Sequence, residues 1–261
     1  VNGTVPPRLR LRYTKTGRIK YTSQRDLARS FERMLRRAHL PVAYSEGFSP
    51  RPLLSFSLAL PTGCESWAEY VDLRFAPGSE TPGGIEVRDQ LSTAELDWLA
   101  ERIDGLLPDG LDVVSLSPLD GAEGSLQEEV TSCSWIVEVS GMSAVELEER
   151  VASVLDASQL PVERIRKGRT VSDDLRPGIM TLELEGPGES PGSLRLVAEL
   201  ATKPRGVRPS ELLGAISPEL RLLRVSRTIQ WITDHDGQRR EPLRADGVLL
   251  GAVDEATAGG R

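Results

Sequence analysis

The chain has 261 residues, 39% of them hydrophobic, and is acidic overall, with 32 Lys and Arg against 39 Asp and Glu for a formal net charge of −7. That length can bury one large core or two of roughly 100 to 130 residues. No apolar run approaches the roughly 18 residues of a membrane span and the N-terminus has no signal-peptide core, so a cytoplasmic protein is expected.

The predicted elements begin with a strand from Arg8 to Tyr13, where Leu9, Leu11 and Tyr13 alternate with Arg8, Arg10 and Arg12 at the two-residue period of a strand. The period then becomes helical. Leu27, Phe31, Met34, Leu35 and Ala38 fall on one side of a helix from Gln24 to His39, with Ser23 as its N-cap and Asp26 at the capping-box position. Strands Leu53 to Leu60 and Trp67 to Phe75 follow, joined through Pro61, Thr62 and Gly63. A helix starting near Ser92 and a strand Leu111 to Leu116 complete a βαββαβ order, the ferredoxin-like pattern.

The second half repeats that order with one strand more. Thr131 to Ser140 is a strand, Ser143 caps a helix to Leu155, and Val162 to Lys167 is a strand. A turn around Asp173 to Gly178 precedes strands Ile179 to Glu185 and Leu194 to Leu200. Ser210 caps a short helix to Ile216, and Leu222 to Ile232 is the last strand. The expected fold is α+β: two tandem ferredoxin-like halves with antiparallel sheets, spanning 1–117 and 129–245. The linker is Ser117 to Glu128, and a Gly/Ala-rich tail over 246–261 is expected to be disordered.

Charge is unevenly spread. Residues 1–55 hold twelve cations (Arg8, Arg10, Arg12, Lys15, Arg18, Lys20, Arg25, Arg29, Arg33, Arg36, Arg37 and Arg51) and only three acids, Asp26, Glu32 and Glu46. Strand and helix each bury one face and carry arginine on the other, so these twelve residues are read as a surface for a polyanion, with RNA first. A ferredoxin-like sheet leaves one face open, and RNA-binding domains of that architecture use it. The arginines of the first strand are expected there. Tyr70 lies on the polar face of its strand with Asp72 and Arg74, but no aromatic pair accompanies it, so phosphate and shape recognition is expected rather than base stacking.

Catalytic motifs are missing: no phosphate loop, dinucleotide-binding glycine pattern, zinc-protease motif or nucleophile elbow occurs. Cys64 and Cys133, with His39 and His235, are too few and too scattered for a disulfide framework, a thiolate zinc site or a cysteine-ligated cluster, so neither metal nor cofactor is expected. His39 closes the first helix, where a cation favours the dipole, and is the one acid/base candidate. Tyr13, Lys20 and Tyr44 could complete a metal-free RNA-cleaving site with it.

Three segments combine turn residues with cations. In Tyr44-Ser45-Glu46-Gly47-Phe48-Ser49-Pro50-Arg51-Pro52, the prolines and Gly47 restrict a loop that holds Phe48 and Arg51 outward. The second is Arg166-Lys167-Gly168-Arg169, followed by Asp173-Asp174-Leu175-Arg176-Pro177-Gly178. The third runs from Gly206-Val207-Arg208-Pro209 to Gly214. With the opening run Arg8 to Gly17, the helix Gln24 to Arg37, Leu60-Pro61-Thr62-Gly63 and Glu69-Tyr70-Val71-Asp72, they resemble the radical SAM-linked protein family. This is a bacterial domain of unknown function encoded beside, or fused to, a cobalamin-binding radical SAM protein. The resemblance covers most of Arg8 to Ile232 and singles out Tyr44, Gly47, Phe48, Pro50, Pro52, Asp174, Arg176, Pro177, Arg208 and Pro209 as motif residues. Ser172-Asp173 departs from the pattern, which runs a hydrophobic residue into Asp-Leu-Arg-Pro. The resemblance implies a radical SAM partner. Together with the basic surface it makes the chain an accessory protein that presents RNA, tRNA being one such substrate, to that enzyme. The other classes left open are a metal-independent endoribonuclease resembling CRISPR RNA-processing proteins, and a protein-only adaptor whose arginines meet an acidic partner.

Overall fold

The structure, a computed structural model, describes residues 7–88, 90–119, 124–166, 168–243 and 248–249. It is a mixed α/β chain with mostly antiparallel strands and few helices, and it divides into two compact units. One holds the residues up to Glu129 and again from Arg240; the other holds Val130–Arg239.

In the first unit, β1 (Arg8–Lys15), α1 (Gln24–Ala38), β2 (Leu54–Phe56), β3 (Glu65–Arg74), α2 (Thr93–Asp104) and β4 (Val113–Leu119) are followed by a single helical turn, α3 (Leu126–Glu129). The strands lie in the order β4-β1-β3-β2, each pair antiparallel, and Val248–Leu249 pairs with the outer edge of β4. Alternation along β1 sends Leu9, Leu11 and Tyr13 into one core with Leu27, Phe31, Met34 and Leu35 of α1 and Leu96, Leu99 and Ile103 of α2, so both helices cover the same sheet face. Phe31 is the hub. Its ring meets Tyr13 edge-on at 5.0 Å and Phe56 at 5.5 Å, and burying a phenyl group of this kind stabilises by about 1.5–3 kcal/mol.

The local signals that start and stop α1 are physical. The Ser23 hydroxyl accepts the Asp26 amide at 3.2 Å, satisfying one of the orphan donors of the first turn. At the other end His39 adopts the left-handed conformation, φ 53° and ψ 34°, and its amide closes onto the Arg36 carbonyl. β2 is shorter than the expected Leu53 to Leu60. After Ser57 donates to the Tyr70 carbonyl, the chain leaves β3, and the Gly63 amide bonds to the Lys20 carbonyl at 2.9 Å.

In the second unit, β5 (Ser132–Ser140), α4 (Ala144–Asp156), β6 (Pro161–Arg166), β7 (Arg169–Asp174), β8 (Ile179–Pro187), β9 (Leu194–Ala201), α5 (Pro209–Ile216) and β10 (Arg221–Thr233) follow in order. The sheet order is β10-β5-β9-β8, again antiparallel, while β6 and β7 form a separate two-stranded hairpin. The turn expected around Asp173 to Gly178 begins in strand: Arg169–Asp174 pair antiparallel along β6, from Arg166↔Arg169 to Pro161↔Asp174, just after Gly168 at φ +76°. The N-cap of α5 is Arg208 rather than Ser210, since Pro209 occupies the first helical position and the Glu211 carboxylate accepts the Arg208 amide at 3.0 Å. The expected linker is partly strand, because β4 runs to Leu119; residues 120–123 lie outside the described ones. Of the tail over 246–261, only Val248–Leu249 is described, and that pair is strand.

Candidate nucleic-acid interface

The twelve cations of the N-terminal segment separate into two groups. Those of β1 are largely enclosed. Register places Arg10 opposite Asp72 on β3, and the two form a bidentate pair, Nε to Oδ1 at 2.7 Å and Nη2 to Oδ2 at 3.0 Å. A third guanidinium bond reaches the Pro242 carbonyl at 2.9 Å, and Arg10 is 0% exposed. Arg12 donates to Glu241 at 2.7 Å and to the Trp67 carbonyl at 3.2 Å. Glu241 also accepts the Tyr70 hydroxyl at 3.1 Å, and burial above all raises the Tyr70 phenol well beyond its ordinary range. A register shift between Tyr13 and Lys15 breaks the alternation, and Lys15 is buried with its ammonium on the Thr22 carbonyl at 3.0 Å. Arg8 is half-buried.

The expectation of an open basic sheet face is therefore corrected at Arg10, Arg12 and Lys15. A guanidinium withdrawn from water must find acids and carbonyls, and Asp72, Glu241 and Pro242 supply them. Asp72 shares the polar face of β3, so its register with Arg10 was in principle readable. Glu241, some 170 residues from β3 in sequence, gave no signal.

The helix cations form the second group. Arg25, Arg29, Arg33, Arg36 and Arg37 are all exposed, opposite the buried stripe of the 15-residue α1, along about 18 Å of helix. Two of them are oriented from below: Arg29 pairs with Asp26 at 3.0 Å and Arg33 donates to the Ser30 hydroxyl at 2.9 Å. The Ser23 hydroxyl and then Arg29 hold the Asp26 carboxyl below its usual range. Just ahead of α1, the 3₁₀ turn Gly17–Tyr21 exposes Arg18 and Tyr21; Lys20 is half-buried on Glu65 at 3.2 Å, its ammonium 5.5 Å from the Tyr21 ring centre. Tyr21 was missed because nothing in a single aromatic between strand and helix distinguishes core from surface.

The Tyr44 to Pro52 loop is a closed excursion. Tyr44 bridges Pro52, the Ser45 amide bonds to the Arg51 carbonyl at 2.9 Å, and the Arg51 amide returns to the Ser45 hydroxyl at 3.1 Å. Gly47 sits at φ +128°, a conformation side chains rarely adopt. Phe48 is fully exposed at the tip, with Pro50 and Arg51 also exposed, and Tyr44 is 48% exposed at the base.

The remaining motif residues are structural. Asp174 accepts the amides of Leu160 at 2.7 Å and Arg176 at 3.0 Å, and these bonds hold its carboxyl below the ordinary value. Arg176 caps the end of α4, donating twice to the Leu155 carbonyl at 3.1 and 2.9 Å and once to Ile179 at 3.0 Å. Pro177 continues the 3₁₀ turn, and a Cβ at Gly178 would lie 2.3 Å from Val207 Cγ2, which seats this motif against the one beginning at Val207, Arg208 and Pro209. Asp173, the residue that departs from the family pattern, stands 2.7 Å from Arg164 and 3.0 Å from Arg205, out of line for hydrogen bonds but close enough for charge pairing.

The RNA-cleaving set loses a member. Tyr13 is buried against Phe31, away from any substrate. His39 is exposed, and its backbone terminates α1. Among the described residues no group of three or more His, Cys, Asp or Glu could hold a metal ion, and no helix is long and apolar enough to cross a membrane.

Fold and surface together define an α/β protein with an arginine-lined helix. The chain belongs to the bacterial family described as "Uncharacterized protein conserved in bacteria (DUF2344)", whose model matches residues 8–209. No curated protein matches it. Among solved structures it is similar to a chain of the crystal structure of a Cbf5-Nop10-Gar1 complex, at 8% identity and a TM-score of 0.43, over 85% of this chain and 48% of that one. The likeness thus spans about half of that chain's length.

Proposed function

We propose that the protein is a non-catalytic, cytoplasmic RNA-binding subunit, with tRNA as its RNA, that presents this substrate to a partner radical SAM enzyme. The observation that carries the RNA half of this reading is the set of five exposed arginines on α1, opposed on that helix only by Asp26 and the half-buried Glu32. Five guanidinium groups spread along about 18 Å match the spacing of a phosphate backbone better than a point ligand, and their affinity is of the sequence-independent, salt-sensitive kind. Arg18, Tyr21, Phe48 and Arg51 extend the same chemistry, adding two aromatic faces on which an unpaired base can stack. On this reading the phosphates follow a helix and its flanking loops, while β1 serves the interior.

The partner half rests on the resemblance to the radical SAM-linked family. The reading of each unit as a ferredoxin-like domain rests on its element order and on a strand order that is the same in both, β4-β1-β3-β2 and β10-β5-β9-β8. The test is co-expression with the neighbouring radical SAM protein and purification through this chain. A complex containing both the enzyme and tRNA is expected. Recovery of the enzyme without nucleic acid, at a salt concentration where the isolated chain also fails to hold tRNA, would contradict the reading and favour a protein-only adaptor.

A further inference from the structure

The large hydrophobic side chains left exposed in the two units differ in kind. Among the described residues of the first unit they are Tyr21, Tyr44 and Phe48, all aromatic; in the second they are Val145, Met180, Leu222 and Leu223, all aliphatic. Scattered aliphatic exposure is ordinary for any surface. Exposed aromatic rings in the unit that also carries the arginine helix fit a more specific chemistry, because planar rings beside guanidinium groups are what bases and phosphates together require.

Tyr21 and Phe48 belong to opposite ends of α1. The register Lys15↔Ser66 sets the end of β1, and with it the 3₁₀ turn that carries Tyr21, beside the start of β3; the Gly63 amide on the Lys20 carbonyl at 2.9 Å holds the turn there. At the other end the Ala43 amide bonds to the Arg74 carbonyl and the Ala76 amide to the Pro41 carbonyl, both at 2.8 Å, so the Tyr44 to Pro52 excursion leaves from beside the end of β3. Ser66 to Arg74 is about 27 Å of strand, and α1 with its five exposed arginines runs from the first end to the second. Both rings sit on fixed backbone. Tyr21 is 67% exposed, with the Lys20 ammonium over its ring at 5.5 Å. The next residue, Thr22, donates its amide and its hydroxyl to the Ile19 carbonyl, and its own carbonyl accepts the Lys15 ammonium. Phe48 stands at the tip of the loop that Ser45 and Arg51 close. A ring fixed before binding loses little freedom when a base stacks on it.

We infer that the RNA element seated on α1 is an unpaired strand, a loop or a single-stranded end, whose bases stack on Tyr21 and Phe48 while its phosphates follow the arginines, an inference that rests on the RNA-binding reading above. A duplex can offer α1 its phosphates but not its base faces, which are stacked on one another. Only an unpaired strand uses both parts of the surface. At about 3.4 Å per stacked nucleotide, the distance between the two ends corresponds to about eight nucleotides, fewer where the strand is extended.

The test is binding of the full chain to a single-stranded RNA of about 12 nucleotides, and to the duplex of that strand with its complement, across a range of salt. The wild type, Tyr21→Ala, Phe48→Ala and Tyr21→Phe are compared, with thermal unfolding of each. The wild type is expected to prefer the single strand. Each Ala variant is expected to unfold at the wild-type temperature and to bind the single strand about 5- to 150-fold more weakly. Its log–log salt slope and its duplex binding are expected to match the wild type, since no phosphate contact is lost. Tyr21→Phe is expected to keep the wild-type affinity. If the wild type binds RNA but prefers the duplex, or if either Ala variant holds the single strand with wild-type affinity, the unpaired-strand inference is overturned and the α1 reading stands. If the wild type binds neither RNA, the α1 reading fails and the inference with it. A loss in Tyr21→Ala that Tyr21→Phe shares, or that comes with a lower slope, assigns Tyr21 to something other than stacking and also overturns the inference. Should Tyr21→Ala melt at a lower temperature, Phe48→Ala decides alone by the same criteria.

Discussion

β1 and α1 are adjacent in the chain, carry similar arginine density and show equally regular alternation of apolar and basic residues, yet their arginines do opposite things. On β1 the basic face is interior: Arg10 is enclosed by Asp72 and the Pro242 carbonyl, and Arg12 is held by Glu241 and Trp67. On α1 the basic face meets solvent along its whole length. Amphipathic patterning tells which side chains share a face. Whether that face is wet depends on what folds over it, and only long-range register and the return of the chain near residue 241 decide that.

The largest effect that would break this comparison is removal of an interior partner. Asp72→Ala leaves the fully buried Arg10 without its bidentate acid and is expected to cost about 3–5 kcal/mol in denaturant unfolding. A cost below about 1 kcal/mol would mean that Arg10 is hydrated and belongs with the surface group. In the second unit, Arg176→Ala strips the cap from α4 and is expected to cost about 1–3 kcal/mol, with RNA binding unchanged. Loss of binding at full stability would return this motif to the functional surface.

Both helices of the first unit and the core faces of β1 and β3 were legible because period and capping are local: Ser23 and Ser92 each cap where the spacing places them. The solvent side of α1, with its five arginines, was legible for the same reason. What was not legible depends on contacts distant in sequence. The Glu241 carboxylate between Arg12 and Tyr70 has no local signature, and the end of β7 reads as turn because Asp173 and Asp174 are turn-favouring residues. The Asp-Leu-Arg-Pro motif was visible, but its service to the end of α4 appears only when Leu155 is brought to Arg176.

Smaller effects sharpen the account. Asp174 has a depressed carboxyl, so the stability it confers is fully present above its unfolded value near 3.8 and is lost as pH falls through the folded value. Asp174→Asn is therefore expected to lower stability at neutral pH, where the carboxylate's contribution is fully present, and to flatten the acid limb so that the variant approaches the wild type below about pH 4, as followed by thermal unfolding across pH. His39 holds a left-handed backbone, so His39→Gly is expected to stabilise by about 0.5–1 kcal/mol. Neither this variant nor the wild type should cleave cellular RNA in EDTA. Cleavage by the wild type that is lost in His39→Ala would promote the endoribonuclease reading. Phe48→Ala is expected to shift stability by less than about 0.5 kcal/mol, because the ring is fully exposed, while weakening capture of tRNA.

The most direct measurement is tRNA binding as a function of salt by the wild type and by Arg29→Glu/Arg33→Glu/Arg36→Glu, three exposed positions opposite the buried stripe of α1. The wild type is expected to bind with a steep negative log–log slope, about 0.7 to 0.9 per phosphate contact, and the folded triple variant to lose binding at an unchanged melting temperature. A folded triple variant that binds tRNA with the wild-type affinity and slope would contradict the assignment of α1 as the RNA surface.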